Sequence, residues 1–259
     1  MRQPGDPIFI NRDFRVVEEH ADWIVVDKPP HLLVHPTALN EPFTLWDGLR
    51  ELLAFEMANG GQISLINRLD RETSGLILIA KNALAARTFA GAMQSGLVKK
   101  EYLAIVLGHP KWDSVTVDGP LLRQGEVEKS AIYLKQMIHP HGAIAVTNFV
   151  VMHRFWAFGG IPLALLRATP LSGRTHQIRV HAASLGFPLL GDKIYGADES
   201  CYLDFIDSGW TDLLAARLYI TRHALHSTFL CLPHLALKWT SPLPADLQKV
   251  VDSGNCSHA

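Results

Sequence analysis

Short apolar runs separated by polar turns dominate the hydrophobic pattern of this chain, and they predict β-strands more often than helices. Residues 23–26 form one such run, which ends before Pro29 and Pro30 because proline cannot continue the ladder of a central strand. Further largely apolar runs predict strands at residues 76–80, 102–107, 144–151, 163–168 and 225–232.

Helical periodicity is restricted to segments with recognisable start or stop signals. These segments are residues 44–57, 83–94 and 175–185. Thr44 and Asp47 have the character of a capping box, and Asn82 is the expected N-cap of the second segment. Gly96 and Gly186 are the expected left-handed stops of the second and third segments.

The order of these elements predicts the fold class. Strands and helices do not alternate regularly enough for a doubly wound fold. The pattern instead predicts an α+β fold with a long, largely antiparallel or mixed β-sheet and flanking helices. At 259 residues the chain can bury a sizeable core, and one domain with a divided sheet is as plausible as two domains.

The composition is that of an ordinary soluble globular protein, with 48% hydrophobic and 19% charged residues. No apolar run approaches the roughly 18 residues that a membrane span needs, and residues 1–6 lack the layout of a secretory signal. Cys201, Cys231 and Cys256 are too few and too scattered for a disulfide framework or a paired zinc site. These features predict a cytoplasmic protein that does not contact membranes.

The distribution of charge is more informative than the formal net charge of −1. Residues 67–102 carry six Lys and Arg against three acidic residues, and residues 163–193 carry four against one. Positive charge is thus concentrated in two segments, as a nucleic-acid cleft in a neutral protein requires. Ordinary fluctuation of charge along a sequence is the alternative interpretation.

The segment with the clearest chemistry is residues 67–75, which read N-R-L-D-R-E-T-S-G and precede a predicted buried strand. Asp70 lies between Arg68 and Arg71, and neighbouring positive charge favours the ionised form of a carboxylate. An ionised aspartate held against a rigid element can act as a nucleophile or a general base. A surface ion pair at the entrance of a strand is the alternative.

Two other segments argue against the alternative of a surface ion pair. Residues 99–108 read K-K-E-Y-L-A-I-V-L-G, and residues 172–181 read S-G-R-T-H-Q-I-R-V-H, with G-D-K-I-Y-G following at 191–196. Together with residues 67–75, and in this order, they resemble the RluA-like family of pseudouridine synthases. In that family an R-L-D-x-x-T-S/T-G loop, a K-x-Y strand and a G-R-T-H-Q-I-R-x-H helix recur.

The resemblance implies an isomerase that converts uridine to pseudouridine in ribosomal or transfer RNA, on a fold with a central RNA-binding cleft. It implies no cofactor and no metal. It also implies a catalytic domain over residues 22–247, between an amino-terminal extension at 1–21 and a carboxy-terminal tail at 248–259. The short extension is expected to leave no room for the small RNA-binding domain that some relatives carry there.

Three catalytic positions follow from the resemblance. Asp70 is the implied catalytic carboxylate. Tyr102 is implied to stack beneath the uracil, where base–aromatic stacking contributes about 1–3 kcal/mol, although a core tyrosine is the alternative. Arg179 is the predicted partner that holds Asp70 ionised and oriented, because guanidinium and carboxylate suit planar bidentate pairing.

Further positions are predicted to contact RNA: Arg68, Arg71, Lys100, Arg174 and His176. Arg68 is implied to fill the gap left by a flipped uridine, and Lys100 leans to the same strand face as Tyr102. Arg174, at the predicted helix start, suits phosphate or backbone carbonyls. Asn67 departs from the family pattern, since many relatives have His there, and its role is expected to be structural.

Two other functions fit parts of the pattern. Asp70 could be the nucleophile of a nucleoside or glycoside hydrolase, but such enzymes usually need a second carboxylate at a set distance. The other is a non-catalytic RNA-binding protein on the same scaffold, which would not need Asp70, Tyr102 and Arg179 together.

Metal binding is not favoured, because the histidine pair His176 and His181 has a poor spacing for one helix face. The expected partner is a structured RNA stem-loop and the expected oligomeric state is a monomer. The sequence leaves the target RNA and the target uridine open.

Overall fold

The computed structural model describes residues 12–36, 43–196 and 198–255. These residues form two compact units, and each unit is named after one predicted catalytic residue that it contains. The Asp70 unit contains residues 12–100 and 227–242, and the Arg179 unit contains residues 101–226 and 243–255. Parts of the predicted amino-terminal extension and carboxy-terminal tail, including Cys256, lie outside the described residues.

The strands of the described residues are numbered in chain order. β1 to β12 are Arg15–Glu19, Trp23–Lys28, Ser64–Leu65, Ser74–Ala80, Lys99–Leu107, Ser114–Asp118, Leu121–Arg123, Gln136–Ile138, Val146–Ala157, Ile161–Pro170, Leu225–Leu232 and Leu237–Thr240. The α-helices α1 to α7 are Leu45–Leu52, Ala54–Ala58, Ala83–Gln94, Gln177–Ser184, Ser200–Ser208, Asp212–Leu218 and Ala245–Asn255. Two short 3₁₀ helices are Gln124–Glu126 and Pro233–Leu235.

The sheet of the Asp70 unit is built around β4. Its strand order is β1-β2-β4-β11, with β3 pairing on β4 and β12 pairing on β11. β1–β2, β2–β4, β3–β4 and β11–β12 are all antiparallel pairs. Every residue of β4 is buried, which explains why its residues 76–80 are continuously apolar rather than alternating.

The two faces of β4 bury different helices. Leu76 and Leu78 belong to a cluster that contains Phe89 of α3. Ile77 and Ile79 belong to another that contains Leu49 of α1. Since successive strand residues point to opposite faces, a helix covers each face of this strand. The residues just before β4 are therefore attached to one of the most buried elements of the unit.

The Arg179 unit has a second antiparallel arrangement, in the order β5-β10-β9-β6. β7 and β8 pair separately as a two-stranded ribbon. The carboxy-terminal helix α7 packs on this arrangement, because Leu247, Val250 and Val251 cluster with Phe155 and Leu163.

The predicted α+β class, with antiparallel strands and flanking helices, is confirmed. The strand predicted at residues 225–232 has those bounds, and the helix predicted at 83–94 has both its bounds and its Asn82 cap, whose side chain accepts from the Ala85 amide at 2.9 Å. The capping box of Thr44 and Asp47 is also confirmed.

Two helix predictions were partly wrong, one in the interior of the segment and one at its start. The segment predicted as one helix over residues 44–57 is divided into α1 and α2 at Leu53. α4 begins at Gln177 rather than at residue 175, because His176 before it adopts a left-handed backbone with φ 56°. The predicted domain limits at 21 and 247 stay predictions; β1 lies before the first limit, and α7 spans the second.

Candidate active site

Asp70 lies in the loop between β3 and β4, at the point where the chain enters the buried strand. Asp70 is partly buried, whereas the flanking Arg68 and Arg71 are exposed. Its backbone begins a tight turn, in which the Thr73 amide donates to the Asp70 carbonyl at 3.1 Å. The loop therefore presents a carboxylate between two cations that remain accessible to a polyanion.

The loop is tied to the rest of its unit by a buried lysine. Lys28 is 0% exposed, and its ammonium group donates to the carbonyls of Pro29, Leu32 and Arg71 at 2.8, 2.9 and 3.1 Å. An ammonium group has three N–H donors, and one of these carbonyls belongs to the residue directly after Asp70. Lys28 thus connects the end of β2 to the Asp70 loop.

Gly75 closes the loop at the start of β4 and cannot be replaced without strain. Its φ is 114°, a backbone conformation that favours glycine. A Cβ atom at this position would lie 2.3 Å from the Ser227 carbonyl oxygen and 2.6 Å from its nitrogen. The glycine of the loop motif is needed because another strand backbone passes against it.

Lys100 and Tyr102 lie two positions apart on β5, and both are buried. Their common strand face agrees with the prediction from spacing. Burial lowers the pKa of Lys100 below its usual value, since a low-dielectric surrounding disfavours the charged ammonium. Lys100 is therefore not a solvated surface lysine.

Arg179 lies in α4 and forms a bidentate ion pair with Asp192. The Arg179 Nε and Nη2 atoms donate to Asp192 Oδ2 and Oδ1 at 2.7 and 2.9 Å, and the side chains are 5% and 0% exposed. Burial alone would raise the pKa of Asp192, but the adjacent guanidinium outweighs it and holds that pKa well below the usual range. The pair is therefore ionised and fixed in orientation.

Asp192 also bonds to the backbone of the residues that follow it. Its Oδ1 atom accepts from the amides of Ile194 and Tyr195 at 2.9 and 3.1 Å. The Tyr195 ring lies against Arg179, with 5.1 Å between the guanidinium carbon and the ring centroid, and the Tyr195 hydroxyl is 2.9 Å from His176 Nδ1. The segment at 191–196 thus holds α4 at Arg179 and at His176, the residue before the helix begins.

Arg174 and Gln177 occupy the turn before α4. Arg174 is exposed, and its Nε donates to the Ile144 carbonyl at 3.2 Å, which is one of the two contacts expected for it. Gln177 is buried and accepts from the Arg174 amide at 3.1 Å, while its own amide group donates to the Val146 carbonyl and Thr147 Oγ1. Gln177 therefore fixes the turn that presents Arg174.

The predicted site residues fall into both units. Asp70, Arg68, Arg71 and Lys100 belong to the Asp70 unit, and Tyr102, Arg174, His176 and Arg179 belong to the Arg179 unit. The pairing of Arg179 with Asp70 stays a prediction, and so do the RNA contacts. Sequence reasoning missed the roles of Asp192, Tyr195 and Gln177, and the only available signal was that all three lie in the motif segments.

His223 in the Arg179 unit gives a testable pH dependence. Burial lowers the pKa of His223 well below its usual value near 6.5, and the nearby Arg179 cation acts in the same direction. The native ring stays neutral while the unfolded ring takes up a proton as the pH falls below about 6.5. The free energy of unfolding is therefore expected to decrease there, by up to about 1.4 kcal/mol per pH unit from this residue.

Denaturant titrations between pH 5 and pH 8 measure this slope. His181, whose pKa is also lowered by burial, adds to it in the same direction. His223→Gln should reduce the slope, whereas substitution of the exposed His141 by Gln should not. An unchanged slope in His223→Gln would contradict the assignment of a neutral buried ring.

The described residues contain no helix long and apolar enough to cross a membrane. Among the same residues, no group of three or more His, Cys, Asp and Glu side chains is arranged to hold a metal ion.

The family model of RNA pseudouridylate synthases matches residues 22–184, which include the Asp70 loop, β5 and α4. The chain therefore belongs to the RNA pseudouridylate synthase family, and it is an RNA-modifying isomerase. The family expected from the sequence motifs is confirmed.

Individual relatives agree with this family. Ribosomal large subunit pseudouridine synthase D of Pseudomonas aeruginosa is 34% identical over 238 residues, which cover 90% of this chain and 69% of the relative. The protein of the same name from Haemophilus ducreyi is 34% identical over 249 residues, or 94% of this chain and 71% of the relative. Human RNA Pseudouridylate Synthase Domain Containing 4 shares the fold, with a TM-score of 0.70, 24% identity and 93% of each chain covered.

Proposed function

We propose that this protein isomerises a specific uridine of large-subunit ribosomal RNA to pseudouridine, with Asp70 as the catalytic carboxylate. The observation that carries the proposal is the intact Asp70 loop, a partly buried carboxylate between two exposed arginines at the entrance of a rigid strand. The choice of ribosomal over transfer RNA is supported by the relatives, which are named as ribosomal large subunit synthases.

The reaction itself needs few chemical groups. The N1–C1′ bond of the nucleotide breaks, a C5–C1′ bond forms, the proton at C5 leaves and N1 gains a proton. No oxidant, phosphate donor or other reagent is consumed. A carboxylate can serve as the nucleophile or the base, and the protein must hold the base and sugar while they are separated.

Tyr102 and Arg179 are assigned supporting roles. Tyr102 is buried on a strand, and its ring is proposed to stack on the uracil. Arg179 is proposed to orient Asp70, and its bidentate bond to Asp192 supports this because the guanidinium is already fixed in one orientation. Arg68, Arg71 and Arg174 are exposed cations suited to phosphate groups.

A hydrolytic glycosidase is less well supported, since it needs a second carboxylate that can activate water. Asp192, the acid that the motif segments bring next to Arg179, is fully buried and bonded on both oxygens to Arg179. A carboxylate held in this way is unsuited to that role.

We further propose that the RNA is bound as a folded stem-loop, that the enzyme acts as a monomer and that it works in the cytoplasm. A uridine within a folded RNA is stacked, so the enzyme is proposed to flip it out before the reaction. Arg68, which is exposed two residues before Asp70, is proposed to replace the flipped base.

Release of tritium from RNA labelled at uridine C5 tests the proposal. The RNA fractions, prepared from cells lacking the gene, are large-subunit ribosomal, small-subunit ribosomal and transfer RNA, and RNA labelled at C6 is the control. Release from C5 of the large-subunit fraction alone, without free uracil, is the expected result. Free uracil would indicate a hydrolase, and binding without either product would indicate a non-catalytic RNA-binding protein.

A further inference from the structure

Asn67 uses its side-chain amide as a substitute for a strand backbone. β3 pairs with β4 at Leu65 and Ile79, and the Ile66 amide then donates to the Leu78 carbonyl at 2.9 Å. At the next residue the main-chain ladder is replaced by side-chain bonds. The Leu78 amide donates to Asn67 Oδ1 at 2.9 Å, and Asn67 Nδ2 donates to the Leu76 carbonyl at 3.0 Å.

This pair of bonds requires a planar group with one donor and one acceptor on the same side. The primary amide of asparagine supplies both. An aspartate at position 67 would offer two acceptors, and one of them would repel the Leu76 carbonyl oxygen. A leucine at position 67 has the same shape but offers neither a donor nor an acceptor. Leu76 and Leu78 are 0% exposed, so water is poorly placed to replace the lost bonds.

Asn67 lies three residues before Asp70, and two further contacts hold the loop after Asp70. The Arg71 carbonyl is bonded to Lys28, and Gly75 fits against Ser227. The carboxylate residue is therefore held between an anchor at Asn67 and an anchor at Arg71. The second anchor acts on the residue next to Asp70, and the first one fixes, relative to β4, the point at which the loop departs from β3.

We propose that Asn67 is a positioning residue for Asp70, which fixes the Asp70 loop in register with β4. This inference rests on the proposed catalytic role of Asp70. Asn67 does not itself react, and it acts through the geometry of the loop. A displacement of the reacting group by about 1 Å can reduce a rate by about 100-fold, so loss of the anchor should affect the chemical step more than RNA binding.

Asn67→Leu and Asn67→Ser test the proposal, because neither adds charge near Asp70. Leucine keeps the shape, and serine keeps a polar group that is too short for both bonds. Asn59→Leu is the matched control, since the Asn59 side chain donates one backbone bond, to the Phe55 carbonyl at 2.7 Å, on the surface of the same unit. Each variant is assayed with labelled large-subunit RNA in single turnover, and its RNA affinity is measured separately.

We expect the single-turnover rate constant at saturating RNA to fall by about 10- to 100-fold in both Asn67 variants, with the dissociation constant for RNA changed by less than about threefold. Hydrogen exchange at the Leu78 amide should accelerate in both variants while exchange in β10 is unchanged. Asn59→Leu should retain the wild-type rate constant.

Several results would overturn the inference. If both variants keep the wild-type rate constant per folded molecule, Asn67 supports stability only. If neither variant folds, the contact is needed for the whole unit rather than for the loop. An inactive wild-type enzyme would instead refute the proposed function, and the inference would fall with it. These outcomes are distinguishable because the wild type is assayed in every experiment.

Discussion

Asp70→Asn is expected to abolish tritium release while leaving the affinity for RNA within about threefold. The amide keeps the size of the side chain but is neither an anionic nucleophile nor a base at neutral pH. A single group acting as acid or base contributes about 10²–10⁴-fold to a rate, so the residual rate constant should lie at least about 100-fold below that of the wild type. RNA affinity should persist, because Arg68 and Arg71 remain exposed beside the substituted residue.

The measurement combines single-turnover tritium release with a titration of RNA binding at fixed salt. Glu72→Gln is the matched control, since it removes a carboxylate of the same loop two residues further along. The control should retain most of the wild-type rate constant. Equal losses in the two variants, or an Asp70→Asn enzyme with the wild-type rate constant, would contradict the assignment of Asp70 as the catalytic carboxylate.

Asp192→Asn is expected to destabilise the protein by about 3–5 kcal/mol, which corresponds to a decrease in Tm on the order of 10 °C. The substitution removes the negative charge of the fully buried carboxylate that forms the bidentate pair with Arg179. It also removes the charge from an acceptor shared by the amides of Ile194 and Tyr195. Isomerisation should fall as well, because Arg179 is one of the proposed catalytic residues.

Asp246→Asn provides the matched comparison, because Asp246 forms the same type of bidentate pair with Arg222. The Arg222 Nε and Nη2 atoms donate to Asp246 at 2.7 and 3.1 Å, but the Asp246 side chain is 51% exposed. Solvent can compensate part of the loss there, so thermal unfolding should show a smaller decrease in Tm. A decrease as large as that of Asp192→Asn would show that burial of the carboxylate is not the deciding factor.

Much of the fold could be predicted because its signals are local. The Asn82 cap and the helix-forming residues after it define α3, and a continuous apolar run defines β4. The bounds of β11 followed from composition for the same reason. Asp70 could be singled out because its motif is contiguous in the sequence.

The remaining features depend on contacts that are distant in the sequence. The partner of Arg179 in this structure is thirteen positions further along the chain, and nothing in the helical spacing identifies it. The start of α4 could not be predicted, because His176 adopts a left-handed backbone while its ring bonds to Tyr195. The role of Asn67 depends on the position of two backbone groups of β4, which only the folded pairing of β3 and β4 defines.

The discontinuity of the Asp70 unit has a consequence for synthesis on the ribosome. The loop and its first strands are translated early, but β12 and most of β11, including the Ser227 backbone that faces Gly75, are translated only after residues 101–226. Closing a connection of this length costs conformational entropy, and no local contact offsets that cost before the strands pair. A nascent chain therefore carries every residue of the loop before it can assemble the sheet around that loop, which has to wait until residues 227–242 have been translated.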